Sequence, residues 1–405
     1  QVTEASAIAQ ELVSAVNSGK AILPFSETRL PYSWQPASQQ IAFFGLDGYE
    51  AIEEYNPLDQ VITVQCGIKL HALEKFLLAN KQWLPVASYN KQTSLLDLIL
   101  TGNAGPTEIF SGGLRRHLLG LTFLLSNGCL AKSGGKVVKN VSGYDLTRFF
   151  IGSYGHFALP ISANLRLYSL PEQTCTIFVA SKDIEPLLRV AKSIFDHRIS
   201  ISYLDILDKR LLSEDFIDLI SKRTILTDVQ NYCLLAKIQG DESTAVAETS
   251  LAKNVIDEIG LECISFIEDS EQDQSLNSLS NIDGCLSINT KYRNVLEIAM
   301  SNGVFRKICK SKDFNSFPFL YRPGSGRLLY CLNSYTTQDS LLALFNEYAK
   351  KENEPMTVAY SNHSYMKKVN ILGDIANGAK AIKTVENLLK KQFDPNNLFN
   401  PFVDL

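Results

Sequence analysis

No two of the eight cysteines form a CxxC pair: Cys66, Cys129, Cys175, Cys233, Cys263, Cys285, Cys309 and Cys331 all stand apart. A thiolate-held metal or iron–sulfur cluster draws on clustered cysteines, so none is expected. Histidine is scarce, five in 405 residues, and no HExxH or HxxxH spacing sets two imidazoles on one helix face. An excess of one charge is also missing. With 39 Lys and Arg against 43 Asp and Glu, the net charge of -4 gives no general attraction to nucleic acid or to an anionic membrane. No apolar run reaches the ~18 residues of a membrane-spanning helix. The cysteines sit in mostly apolar neighbourhoods, as reduced core thiols do, and no signal-peptide pattern opens the sequence. The expected location is cytoplasmic, with any membrane contact made through partners.

What is present is ordinary globular material, 45% hydrophobic and 20% charged, in a chain long enough for two or three domains. Residues 3–18 carry Ile8, Leu12, Val13 and Val16 on one helical face, with Thr3 as the expected cap. Strand-like Ala21–Phe25 and Val61–Gln65, helical Leu70–Leu78 and the apolar run Leu119–Leu125 follow, the last closed by the turn dipeptide Asn127-Gly128. After Leu170-Pro171 the rhythm changes. Strand Thr176–Ala180, helix Ile184–Phe195, strands Ile201–Leu207 and Tyr232–Ile238, helix Ser243–Ile259 and strand Cys263–Ile267 give a βαββαβ order, the ferredoxin-like split unit. Residues 268–284 are acidic and Ser/Asn-rich, a surface loop. Phe317–Leu332 reads as strand, turn, strand around Pro323-Gly324-Ser325-Gly326. Helices are expected over Gln338–Lys350 and Ala381–Gln392.

The densest stretch for chemistry is Gly134–Gly155, GGKVVKNVSGYDLTRFFIGSYG, with five glycines and three cationic side chains. Glycine lets backbone N–H groups approach a ligand, and consecutive N–H groups beside Lys136 and Lys139 would form an anion-binding nest. The same residues also suit a run of tight turns with solvated lysines. His156 alone among the histidines falls in this segment, as a proton acceptor or as a structural residue; His71, His117, His197 and His363 read as surface or capping residues. Arg115 and Arg116 either steer an acidic ligand or form a solvated turn.

This stretch is similar to the GG(R/K)VVKNVAGYDLxKLxxGSxGTLG signature of the FAD-binding small subunit of glycolate dehydrogenase, within the vanillyl-alcohol-oxidase-like superfamily. Gly45–Pro85, Gly112–Gly128 and the tail KKQFDPNNLFNP resemble further segments of that family, in the same order. The resemblance implies an α+β chain: a two-subdomain PCMH-type FAD-binding domain over 1–171, split near 85–95, an inserted ferredoxin-like cap over 172–355, and a segment over 356–405 returning to the FAD domain. It implies FAD as cofactor and oxidation of glycolate or a related 2-hydroxy acid to the 2-oxo acid. Its partners would be a larger FAD-containing catalytic subunit and an iron–sulfur subunit. Carried over, Lys139, Asn140, Gly143, Tyr144 and Asp145 are cofactor-proximal. Gly102, Gly152, Ser153 and Gly155 line the flavin, Asn400 and Pro401 close over the domain, and Arg327 in Gly324-Ser325-Gly326-Arg327 faces a small carboxylate.

Three loops depart from that pattern. Where the family has RGGGS or RGGGT, this chain reads Pro24-Phe25-Ser26-Glu27-Thr28-Arg29-Leu30, without glycine. Thr93-Ser94-Leu95-Leu96-Asp97 replaces T-(I/L)-G-G, and Gly152-Ser153-Tyr154-Gly155-His156-Phe157-Ala158 replaces GSxGTLG. Two readings stay open: a redox subunit that holds FAD weakly through modified loops, or a scaffold subunit that has lost it.

Overall fold

The computed structural model describes residues 2–24, 41–86, 93–102, 105, 107–137, 145–212, 214, 217, 231–268, 294–311, 314–332, 347, 357–359 and 378–399. Helix α1 (Val2–Asn17) buries Leu12 completely on its apolar face, and its span takes in Thr3, the expected cap. Strand β1 (Ala21–Leu23) pairs parallel with β2 (Ile41–Phe43). The chain continues through β3 (Ile52–Asn56), β4 (Val61–Gln65), α2 (Leu70–Ala79), β5 (Gln82–Trp83), α3 (Leu95–Thr101), α4 (Glu108–Ser111), β6 (Leu118–Leu124), β7 (Leu130–Gly134), α5 (Leu146–Phe149), β8 (Leu159–Arg166) and β9 (Tyr168–Ser169). Five of these strands form an antiparallel sheet in the order β3-β4-β8-β6-β7. Period-two alternation sorts its faces. Ile62 and Val64 of β4 and Ile161, Ala163 and Leu165 of β8 enter the core, while Thr63 on the opposite face donates to Asn164 at 2.9 Å.

Beyond Pro171 come β10 (Gln173–Ser181), α6 (Ile184–Asp196), β11 (Tyr203–Asp208), β12 (Tyr232–Gly240), α7 (Glu242–Glu258) and β13 (Cys263–Glu268). They pair antiparallel in the order β13-β10-β12-β11, the ferredoxin-like arrangement expected from the sequence. The sheet does not stop there. It runs on from β11 through β15 (Phe319–Arg322), β16 (Arg327–Leu332), β14 (Asn294–Ala299) and β17 (Thr357–Ala359) to eight strands. The reason lies in β11: all six of its residues are buried, so an open edge there would strand buried backbone donors and acceptors. Helix α8 (Asn302–Ile308) joins α6 and α7 on one face, over a second core that includes Ile177, Leu187, Ile206, Leu234, Phe305 and Tyr321. The acidic stretch from 269 to 284 lies outside the described residues, as does all but Glu347 of the helix expected at Gln338–Lys350.

Helix α9 (Gly378–Phe393) brings the chain back to the first core. Phe393 stacks on Phe149 at 5.6 Å and meets Phe150 and Phe157 edge-on. Ile22 N–H donates to Leu398 O at 2.7 Å, and Phe399 bridges Ile22 in parallel, so the tail extends the β1–β2 pair.

His117 corrects an expectation. The sequence reads it as a surface or capping residue beside Arg115-Arg116, yet it is fully buried, edge-on to Tyr168 at 5.4 Å, and neither ring nitrogen has a hydrogen-bond partner. Burial, reinforced by the charges of Arg166 and Arg116, lowers its pKa from 6.5 to about 4. A histidine held neutral in the fold but free to charge when unfolded costs stability as pH falls below 6.5, and the loss grows until the folded value near 4 is reached. Over that window the loss is roughly 3 kcal/mol. His117→Leu should remove this component of acid sensitivity without loss at neutral pH; urea midpoints of both chains across the window check it. Parallel profiles for the two would contradict it.

Candidate functional site

Two glycine-bearing segments and the end of β1 converge where β1, α3 and the turn after α5 meet. Gly102 adopts a left-handed φ of 68° as the C-cap of α3, and a Cβ there would lie 3.3 Å from Gly152 Cα. Only glycine allows that approach together with that backbone angle. Gly155, at φ 71°, has Pro24 packed where its Cβ would be. The turn that resembles a flavin-lining element thus abuts the residue from which the Pro24–Leu30 loop departs.

The hydrogen bonds of these segments decide what they can offer an anion. In the turn, Gly152 N–H donates to Ile99 O at 2.9 Å and Tyr154 N–H to Leu100 O at 2.8 Å. Ser153 and His156 N–H groups go to Phe150 O and Ser153 O. At the other segment, Ser94 begins α3 with a capping box: Ser94 N–H donates to Asp97 Oδ2 at 2.8 Å, and Asp97 N–H to Ser94 Oγ at 3.2 Å. Leu95 and Leu96 N–H groups are taken by Ile68 O and Cys66 O at 3.0 and 2.7 Å. These donors are therefore engaged within the protein. The Ser153 hydroxyl is buried and without a partner.

The candidates from the sequence fall into distinct places. Asp145 caps α5, accepting Arg148 N–H at 3.1 Å, and pairs with the Arg148 guanidinium at 3.2 Å. His156 is buried, edge-on to Phe157, with Nε2 3.6 Å from Glu386 Oε1 on α9. Its carbonyl accepts the Lys390 ammonium, which also holds Phe399 O and pairs with Asp394 at 2.8 Å. Arg327 stands at the start of β16, its Nε 3.3 Å from Glu108 Oε2 on α4, and Gly324 of the same hairpin packs on Ile109. This hairpin is where the second sheet meets the first unit. Lys139, Asn140, Gly143, Tyr144, Asn400 and Pro401 lie outside the described residues, as does 25–30 of the first loop.

Sequence reasoning missed one charged pair beside the hairpin. Arg322, paired in register with Arg327, reaches Asp205 of β11 at 3.6 Å, and both are buried on the sheet face opposite the helices. A charge inside FLYR and another inside YLDILD were the available signals, since a buried ion pair is costly to desolvate and is seldom kept without a role.

Residues 2–134 match the family described as FAD binding domain. Over 131 residues the chain is 30% identical to the glycolate oxidase subunit GlcE of Escherichia coli K12, covering 32% of this chain and 37% of that protein. It is 34% identical over 157 residues to the glycolate oxidase subunit GlcD of Bacillus subtilis 168, covering 38% and 33%. It is also 23% identical over 231 residues to a probable mitochondrial D-lactate dehydrogenase of Danio rerio, covering 56% and 45%. The chain thus spans less than half the length of these relatives. A solved alkyldihydroxyacetonephosphate synthase superposes on 97% of the chain and 73% of its own length, with a TM-score of 0.69 at 12% identity, which establishes the likeness of fold. The fold is that of PCMH-type FAD proteins. Over residues 2–134 the chain is similar to this FAD binding domain family, and the relatives it matches are named as glycolate oxidase subunits and a probable D-lactate dehydrogenase.

Proposed function

We propose that this chain binds FAD at the meeting of Gly102, Gly152–Gly155 and Pro24, and takes part in oxidising glycolate or a related 2-hydroxy acid to the 2-oxo acid. The observation that carries this is the glycine-lined junction with a buried, unpartnered Ser153 hydroxyl, built from Pro24 and Gly102 of the segment that matches the FAD family and from the Gly152–Gly155 turn beyond it. Bound there, FAD would supply the hydride acceptor. The chain's own part is to seat the cofactor with Ser153 and the Gly102–Gly152 approach, and to orient the acid. Arg327, on the hairpin at the seam, supplies a guanidinium for the substrate carboxylate in exchange for Glu108. With its backbone donors engaged elsewhere, the site holds FAD loosely. A complex with a larger FAD-containing subunit and an iron–sulfur subunit fits a chain that encodes no clustered cysteines for passing electrons on.

The test is anaerobic. The chain is loaded with excess FAD and mixed with glycolate. One bleaching of the bound flavin is expected, without sustained turnover on a soluble acceptor. In Arg327→Gln, half-reduction should need at least about ten-fold more glycolate, the weight of one charged hydrogen bond. An oxidised spectrum that persists with glycolate and with D-lactate overturns the redox reading and favours the scaffold; rapid turnover by the isolated chain overturns the need for partners.

A further inference from the structure

A cavity of about 280 Å³ opens at the seam, away from the glycine junction. None of Pro24, Gly102, Gly152, Ser153 or Gly155 lines it. Three aromatic residues form its walls: Trp83 of β5, Phe110 of α4 and Tyr168 of β9. Trp83 and Tyr168 are paired neighbours across two antiparallel strands. The Tyr168 ring is fixed from behind by the edge of His117 and by the Arg166 guanidinium, 5.1 Å from its centroid. Phe110 is 46% exposed, a large aromatic surface left to water at the cavity mouth.

One cation enters this aromatic enclosure, and no aspartate or glutamate does. Arg116 ends a short turn, and its side chain is laid over Gly112, where a Cβ would collide with it. Among the described residues no carboxylate pairs with it. From the second sheet comes Gln239 of β12, whose amide oxygen is buried without a partner. An orphaned acceptor of this kind calls for a donor. Apolar ring walls, one guanidinium and one acceptor together ask for a flat ring with an anionic group and a hydroxyl.

We propose that this cavity is a binding site for a small hydroxylated aromatic carboxylate, seated between Trp83, Phe110 and Tyr168, with its carboxylate on Arg116 and its hydroxyl donating to Gln239. Since Gln239 belongs to one sheet and the remaining contacts to the other unit, the ligand bridges the seam. The site is independent of the FAD reading, because no residue is shared with it.

The chain has two tryptophans, Trp34 and Trp83, so Trp34→Phe leaves Trp83 as sole reporter. The full chain is titrated with 4-hydroxybenzoate, following Trp83 fluorescence with calorimetry as a second readout. Saturable binding of one molecule per chain is expected, with Kd below about 1 mM. Arg116→Gln should weaken it at least about ten-fold, Arg116→Lys less, and benzyl alcohol, which lacks the charge, should bind more weakly still. No saturable signal up to about 10 mM, or equal affinity in the Arg116→Gln chain, overturns the proposal.

Discussion

Replacing Phe25, Ser26 and Glu27 by glycine should raise FAD affinity by about 100-fold or more. A pyrophosphate brings two close negative charges that lose hydration on binding, and that loss must be offset by donors or cations. In this chain most backbone donors of the two described segments bordering the junction are taken: residues 94–97 are bonded within α3 or to Cys66 and Ile68, and residues 152–154 and 156 to α3 or within the turn. The burden falls on the first loop, where Pro24 has no N–H, Phe25 adds bulk and Glu27 adds a like charge. Arg29 is the one cationic residue among 24–30. Two recovered N–H contacts to a charged ligand, at ~1.5–3 kcal/mol each, give ~3–6 kcal/mol. Fluorescence quenching of free FAD, titrated with each chain, reads the gain. Equal affinities would show that the phosphates are held elsewhere.

Lys390→Met should cost about 3–5 kcal/mol of stability, the usual result of leaving one half of a buried pair behind. Lys390 is buried, and its ammonium is shared by the carbonyls of His156 and Phe399 and by Asp394. Asp394 is buried too and accepts Phe399 N–H at 2.7 Å. One side chain thereby fastens α9, the turn after Gly155 and the tail that pairs with β1. Because burial lowers the Lys390 pKa, the pair is held against a desolvation penalty, and removing the cation strands the carboxylate. Adding Asp394→Asn to Lys390→Met should recover part of the loss, since the remaining group is then neutral. Urea unfolding reads the stabilities, and hydrogen exchange at Ile22 N–H reads release of the tail, because that donor bonds Leu398 O. A single variant within about 1 kcal/mol of the native chain would show that Lys390 is not a clamp.

The legible parts of the fold are those where pattern and burial agree. The helices at 184–196 and 242–258 could be read because each buries one face, so periodicity announces it. The eight-stranded continuation could not be, because β11 is buried on both sides and its alternation carries no sign of a neighbour. At the site, the glycines of the GSYG turn were legible as special positions. Their purpose was not: Gly155 makes room for Pro24, a contact across more than a hundred residues of chain. The capping box in Ser94-Leu95-Leu96-Asp97 is a local signal that was visible, and it explains the departure from a glycine-bearing loop as the start of a helix. His117 was misplaced because Arg115-Arg116 beside it suggest water, while the fold turns the imidazole inward against Tyr168.

A retained but weakened FAD site is decided by equilibrium titration of the purified chain with FAD. Flavin fluorescence and absorbance are followed to saturation, and the same sample is then passed through gel filtration. One FAD per chain is predicted, with Kd in the range of about 1–100 μM and most of the flavin lost on the column. Full occupancy carried through gel filtration would contradict the loose site, and no saturable binding at about 1 mM FAD would contradict the site itself.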